Sequence, residues 1–102
     1  MIRVIAIAAV AVSAAFPAWA QNTGPNMGRN LASNCANCHG TNGHSVANIP
    51  PLAGQTRDYI GGRMREFRDG KRPATIMHQL SKGYTEEQID LIAAYFAAQK
   101  AR

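Results

Sequence analysis

The chain has 102 residues, eleven Lys+Arg against six Asp+Glu for a formal net charge of +5, and only two cysteines. That length holds one domain, and two cysteines rule out both a framework of several disulfides and a four-cysteine zinc site. The basic balance favours an acidic partner surface.

Residues 1–20, MIRVIAIAAVAVSAAFPAWA, join one early charge (Arg3) to an apolar run that ends on Ala18-Trp19-Ala20. This is the layout of a secretory signal peptide cleaved between Ala20 and Gln21. The alternative is a membrane anchor, but Val4 to Ala20 is only 17 residues and contains Pro17, marginal for a span. The expected product is a single domain of residues 21–102, periplasmic, with ten Lys+Arg against six Asp+Glu (net +4) and no stable membrane insertion after cleavage. A domain of 82 residues buries a modest core and needs a staple such as a metal or a large cofactor.

Residues 21–26 form a polar lead-in. From Met27 to Cys38, the residues Met27, Leu31, Cys35 and Cys38 recur on one face of a predicted helix. This helix runs straight into Cys35-Ala36-Asn37-Cys38-His39, which has three readings. Zinc needs four protein ligands, and a histidine directly beside the second cysteine suits one tetrahedral site poorly. A redox dithiol belongs beside a strand–helix pattern, and the sequence offers no convincing strand. Covalent haem attachment needs two thiols for the two vinyl groups and an imidazole for the iron, all within one helical turn. The C-x-x-C-H spacing supplies that set, so one haem c is the expected cofactor.

Residues 39–55, HGTNGHSVANIPPLAGQ, are dense in Gly, Asn and Pro and are predicted to be a loop, with His44 a loop histidine of no metal role. Thr56 to Asp69 is predicted helical, with Tyr59, Ile60, Arg63, Met64 and Phe67 along one side and Gly70 ending it. Thr75 to Lys82 holds a short helix stopped by Gly83. Thr85 to Lys100 opens on a capping box (Thr85 with Gln88), has Glu86 and Glu87 in its first turn, and carries the apolar stripe Ile89, Ile92, Ala93 and Phe96. The expected fold is all-α.

A haem in an electron carrier takes a sixth ligand, methionine opposite histidine in cytochromes c. Met27 lies on the helix of the motif itself, and Met64 sits among apolar residues in mid-helix. Met77 comes 38 residues after His39, beyond a helix and a Gly/Pro break, so the chain can wrap the porphyrin and return. His39 and Met77 are therefore the expected iron ligands. His78 is the rival, since only one of two adjacent side chains can face the iron.

The segments CANCHG, IPPLAGQ and ATIMHQLSKGYTEEQIDLIAAYF, in that order, resemble a class I cytochrome c over essentially all of residues 21–102. Within the class, DGKRPATIMH followed by KGYTEEQIDLIAAYF is most similar to the cytochrome subunit of flavocytochrome c sulfide dehydrogenase and its sulfur-oxidation relatives. The resemblance implies helices wrapped around one covalent haem. It also implies a proline carbonyl, here matched to Pro51, accepting the Nδ1–H of His39, with Leu52 following onto the haem face. It implies further a helix crossing made by Gly28 and Tyr95. Many relatives of that subunit carry two haem domains, whereas this chain has one haem motif.

Arg57 to Arg72 holds six basic residues against Asp58, Glu66 and Asp69. Such a run is a solvated helix face, a docking surface for an acidic flavoprotein, or a source of an arginine for a haem propionate. The chain shows no nucleic-acid motif and no aromatic interleaving, which argues against a nucleic-acid partner. The expected activity is one-electron transfer with both axial positions filled, by a non-catalytic subunit that accepts electrons from a periplasmic flavoprotein oxidising sulfide. The alternatives are a freely diffusing carrier between respiratory complexes and, more distantly, a haem sensor with an open sixth site.

Overall fold

A computed structural model describes residues 24–102; the expected signal peptide, residues 1–20, lies outside the described residues. Five helices follow one another: α1 (Met27–Ala32), α2 (Ala36–His39), α3 (Arg57–Arg68), α4 (Met77–Ser81) and α5 (Glu86–Ala97). No strand occurs among the described residues, and none of their helices is long and apolar enough to cross a membrane.

The helix expected to run unbroken from Met27 to Cys38 tightens into a 3₁₀ turn at Ser33–Cys35. The Ser33 hydroxyl donates back to the Asn30 carbonyl at 2.6 Å, a local bond that competes with the regular α ladder. The two long helices, α3 and α5, start at side-chain caps. Thr56 Oγ1 accepts from the Tyr59 N–H at 3.1 Å and opens α3. At α5 the capping box is complete: Thr85 Oγ1 accepts from the Gln88 N–H at 3.2 Å, and Gln88 Oε1 accepts from the Thr85 N–H at 2.9 Å. α5 ends at Ala97, three residues before the expected Lys100. The Phe96 carbonyl is taken there by the N–H groups of Gly54 (3.0 Å) and Gln99 (3.1 Å), which ties the long loop to the end of the helix.

Gly70 closes α3 at φ +72°, a left-handed conformation that glycine adopts without strain. The Lys71 N–H reaches the Glu66 carbonyl at 2.9 Å and the Gly70 N–H reaches that of Phe67 at 3.2 Å, the paired bonds of a Schellman turn. The chain therefore doubles back over the last turn of α3.

The core is the predicted stripe of α5 (Ile89, Ile92, Ala93, Phe96) packed against Ala32 of α1 and against Ile60 and Met64 of α3. Leu31, Cys35, Leu52, Tyr84 and Tyr95 seal its edges. α1 crosses α5 at Gly28, where a Cβ would lie 2.9 Å from the Leu91 carbonyl oxygen and 3.7 Å from Tyr95 Cβ. The expected Gly28–Tyr95 crossing is thus present, and the close approach explains the glycine. Gly28→Val is expected to lower unfolding free energy by about 1–3 kcal/mol, the usual cost of overpacking. Denaturant titration of the holoprotein, read by far-UV circular dichroism, checks this.

α3 is pinned to α5 by charge. Arg65 bonds Glu86 (2.7 Å) and Asp90 (2.9 Å), and Arg68 bonds Asp69 (3.0 Å) and Glu86. The arginines, Arg68 first, hold the Glu86 carboxyl below its ordinary range. Much of the basic run is thereby a self-paired, solvated helix face.

Candidate functional site

A cavity of about 620 Å³ opens between the motif segment, the long loop, α3 and α4. Every residue expected at the site lines it: Cys35, Cys38, His39, Pro51, Leu52 and Met77. Residues from the α3 side include Tyr59, Ile60, Met64 and Phe67, so the side of α3 read as apolar in the sequence forms one wall. Met64 also belongs to the buried core, as its setting in the sequence implied.

The 3₁₀ turn and α2 present the motif. Cys35 is half-buried, Cys38 is exposed, and the two are not bonded to each other. Burial, and then the neighbouring Cys38, push the Cys35 thiol up from its ordinary value. A redox-active dithiol needs the opposite shift. Zinc fares no better: among the described residues no group of three or more His, Cys, Asp or Glu side chains could hold a metal ion.

His39 Nδ1 donates to a proline carbonyl at 2.7 Å, and that proline is Pro50, not Pro51. This corrects the role matched to Pro51, which lines the cavity instead. Along an extended Pro-Pro pair successive carbonyls point in different directions, so only one can meet the imidazole, and spacing does not say which. The consequence for chemistry is unchanged. With Nδ1 protonated, Nε2 carries the free lone pair and can coordinate a metal, and the carbonyl fixes the ring and strengthens it as a donor.

Across the cavity lining, α4 places the two rival candidates differently. Met77, its first residue, lines the cavity; its neighbour His78 does not, and the His78 Nδ1 is buried without a hydrogen-bond partner. His44 binds elsewhere, through Nε2 to the Lys100 carbonyl at 2.7 Å, in keeping with a loop role.

Sequence reasoning did not single out Asn34, Tyr84 or Ile92 as lining residues, because they come from segments that touch the cavity only after folding. Arg63 was read on the side of α3 that lines the cavity, whereas Arg72 was legible only as a member of the basic run. The assembled set (two thiols and an imidazole on one segment, a thioether on another, apolar walls) could hold a covalently attached haem, with nitrogen and sulfur available to its iron.

The cytochrome c family profile matches residues 26–100. The chain is 45% identical over 71 residues to the cytochrome subunit of sulfide dehydrogenase from Chlorobaculum tepidum, covering 70% of this chain and 64% of that protein. It is 36% identical to cytochrome c-554(548) of Halomonas halodenitrificans, covering 72% of this chain and 93% of the relative. Among solved structures, cytochrome c4 of Acidithiobacillus ferrooxidans superposes with a TM-score of 0.61 at 38% identity, over 63% of this chain and 37% of that one. The chain thus spans under two thirds of the length of the sulfide dehydrogenase subunit and of the cytochrome c4.

Proposed function

Because the chain belongs to the cytochrome c family, with its covalently bound haem c and its electron transfer, we propose that it carries single electrons in the periplasm as the accepting subunit of a flavoprotein sulfide dehydrogenase. Cys35 and Cys38 would hold the haem through thioether bonds, and His39 Nε2 and the Met77 sulfur would ligate its iron. The haem would supply one-electron chemistry there. The chain's own residues would enclose it in a largely apolar cavity and leave a substrate no place at the metal. The convergence of Cys35, Cys38, His39 and Met77 on one cavity, with His78 turned elsewhere, carries this reading. Export by the segment 1–20 brings the domain of residues 21–102 to a compartment where thioether attachment and a flavoprotein partner are compatible.

The choice of partner draws on the likeness to the sulfide dehydrogenase subunit and on the cavity mouth. Tyr59, Ile76 and Leu80 line the cavity and are 46%, 51% and 49% exposed, and Ile49, Pro50 and Pro51 line it from the loop side. Four arginines of the basic run are occupied by the protein's own carboxylates. An apolar rim with few free cations suits a lasting contact better than a salt-sensitive encounter. The native protein is expected to co-elute with a flavoprotein on gel filtration at about 0.5 M salt, where screening acts over roughly 4–5 Å. Elution as a flavin-free monomer at low salt would make it a diffusing carrier.

A further inference from the structure

The carbonyl that fixes His39 belongs to a stretch of chain with little else to hold it. Pro50 and Pro51 have no N–H to donate. Apart from the bond between the Pro50 carbonyl and His39 Nδ1, no hydrogen bond among the described residues involves residues 45–51. Val46, in the same stretch, is 92% exposed. Where the Pro50 carbonyl sits is therefore decided by what grips the stretch at its two ends.

The first end is built from two tight turns directly after the C-x-x-C-H motif. The Gly43 N–H bonds the Gly40 carbonyl at 3.0 Å, and the His44 N–H bonds that of Thr41 at 3.1 Å. The Gly43 carbonyl then accepts from both Leu52 (2.9 Å) and Ala53 (3.2 Å), so the two ends of the loop meet there. His44 adds a hold from outside the loop: its Nε2 donates to the Lys100 carbonyl at 2.7 Å, 56 residues away in sequence. The other end meets the same segment, since a Cβ at Gly54 would lie only 2.8 Å from Ala101 Cβ. Residues 100 and 101 thus run along both ends of the loop like a strap. The strap is fastened to α5 in turn, by the Gln99 N–H on the Phe96 carbonyl (3.1 Å) and by Gln99 Nε2 on the Tyr95 carbonyl (2.9 Å).

We propose that His44 is a positioning residue for the iron ligand: by fastening the first end of the loop to the Lys100 carbonyl, it sets the Pro50 carbonyl against His39. The inference rests on the reading of His39 as that ligand. His44 does not line the cavity, and its effect passes entirely through the loop. It is the last side-chain hold before residues 45–51, and those residues have no hold of their own except His39. What the strap secures is the orientation of the imidazole and the strength of its Nδ1–H bond, the two properties that an outer partner gives a ligating histidine.

The test is proton NMR of the purified holoprotein. In the ferrous form the exchange of the His39 Nδ1–H with deuterated solvent is followed, and in the ferric form the haem methyl shifts report the orientation of the imidazole. His44→Ala is expected to speed the Nδ1–H exchange by about 3- to 10-fold, the effect of one lost hydrogen bond on a local opening. It is also expected to change the methyl pattern, while the buried Ile92 and Phe96 of α5 keep the amide exchange of the wild type. His44→Gln, which retains a side-chain N–H donor, is expected to lie nearer the wild type in both readouts. Arg65→Ala, which breaks ion pairs between α3 and α5 and leaves the loop alone, is expected to keep the wild-type methyl pattern. A His44 that served stability alone would speed the Nδ1–H and the α5 amides by the same factor. That result, or a His44→Ala protein matching the wild type in both readouts with its haem attached, would overturn the positioning role and leave the haem reading standing. A wild-type protein without covalent haem would overturn both.

Discussion

Replacing both Cys35 and Cys38 by serine is expected to give a colourless chain with most of its helix lost. On the proposed reading the thiols would be the covalent hold on the haem, and the haem would cover the apolar walls of the cavity. Covering an apolar side chain fully contributes about 1.5–3 kcal/mol. Leu52, Phe67 and Met77 line the cavity half-buried, and covering the rest of three such side chains contributes roughly 2–5 kcal/mol. That is a large share of the stability of an ordinary domain, about 5–15 kcal/mol, so loss of the haem is expected to leave little to hold the fold. Far-UV circular dichroism and visible absorption of the double variant, exported and purified beside the wild type, check this. A colourless variant of native helicity would mean that the cavity does not depend on its cofactor.

The elements most legible in the sequence are those fixed by local chemistry. The α5 cap was written in Thr85 and Gln88, and its buried face in the spacing of Ile89, Ile92, Ala93 and Phe96, so both appear as read. Thr56 and Gly70 bound α3 for the same reason. The residues at the site were legible because C-x-x-C-H compresses three demands into five positions, and because Met77 was the methionine that the chain could return to the cavity. What stayed illegible depends on long-range geometry. Whether Pro50 or Pro51 meets His39 turns on carbonyl direction in a loop. The sharing of Glu66 by Arg63 and Arg72 turns on a chain reversal that composition reads only as charge. The end of α5 is set by a loop N–H from Gly54, forty-odd residues upstream.

The second large effect concerns iron. Met77 lines the cavity and His78 does not, so Met77→Ala is expected to remove the sixth ligand. Loss of a thioether, a soft donor that favours Fe(II), is expected to lower the potential by more than ~0.1 V, within the roughly 0.8 V that axial ligands command. His78→Ala is expected to leave the potential nearly unchanged, because its side chain does not line the cavity. The ferric visible spectrum of the wild type beside these two variants tests the central claim, electron transfer through a haem closed between His39 and Met77, most directly. The predicted result is the weak long-wavelength band of sulfur-ligated ferric haem in the wild type and in His78→Ala, and its disappearance in Met77→Ala. A band that survives Met77→Ala, or that is lost in His78→Ala alone, would contradict it.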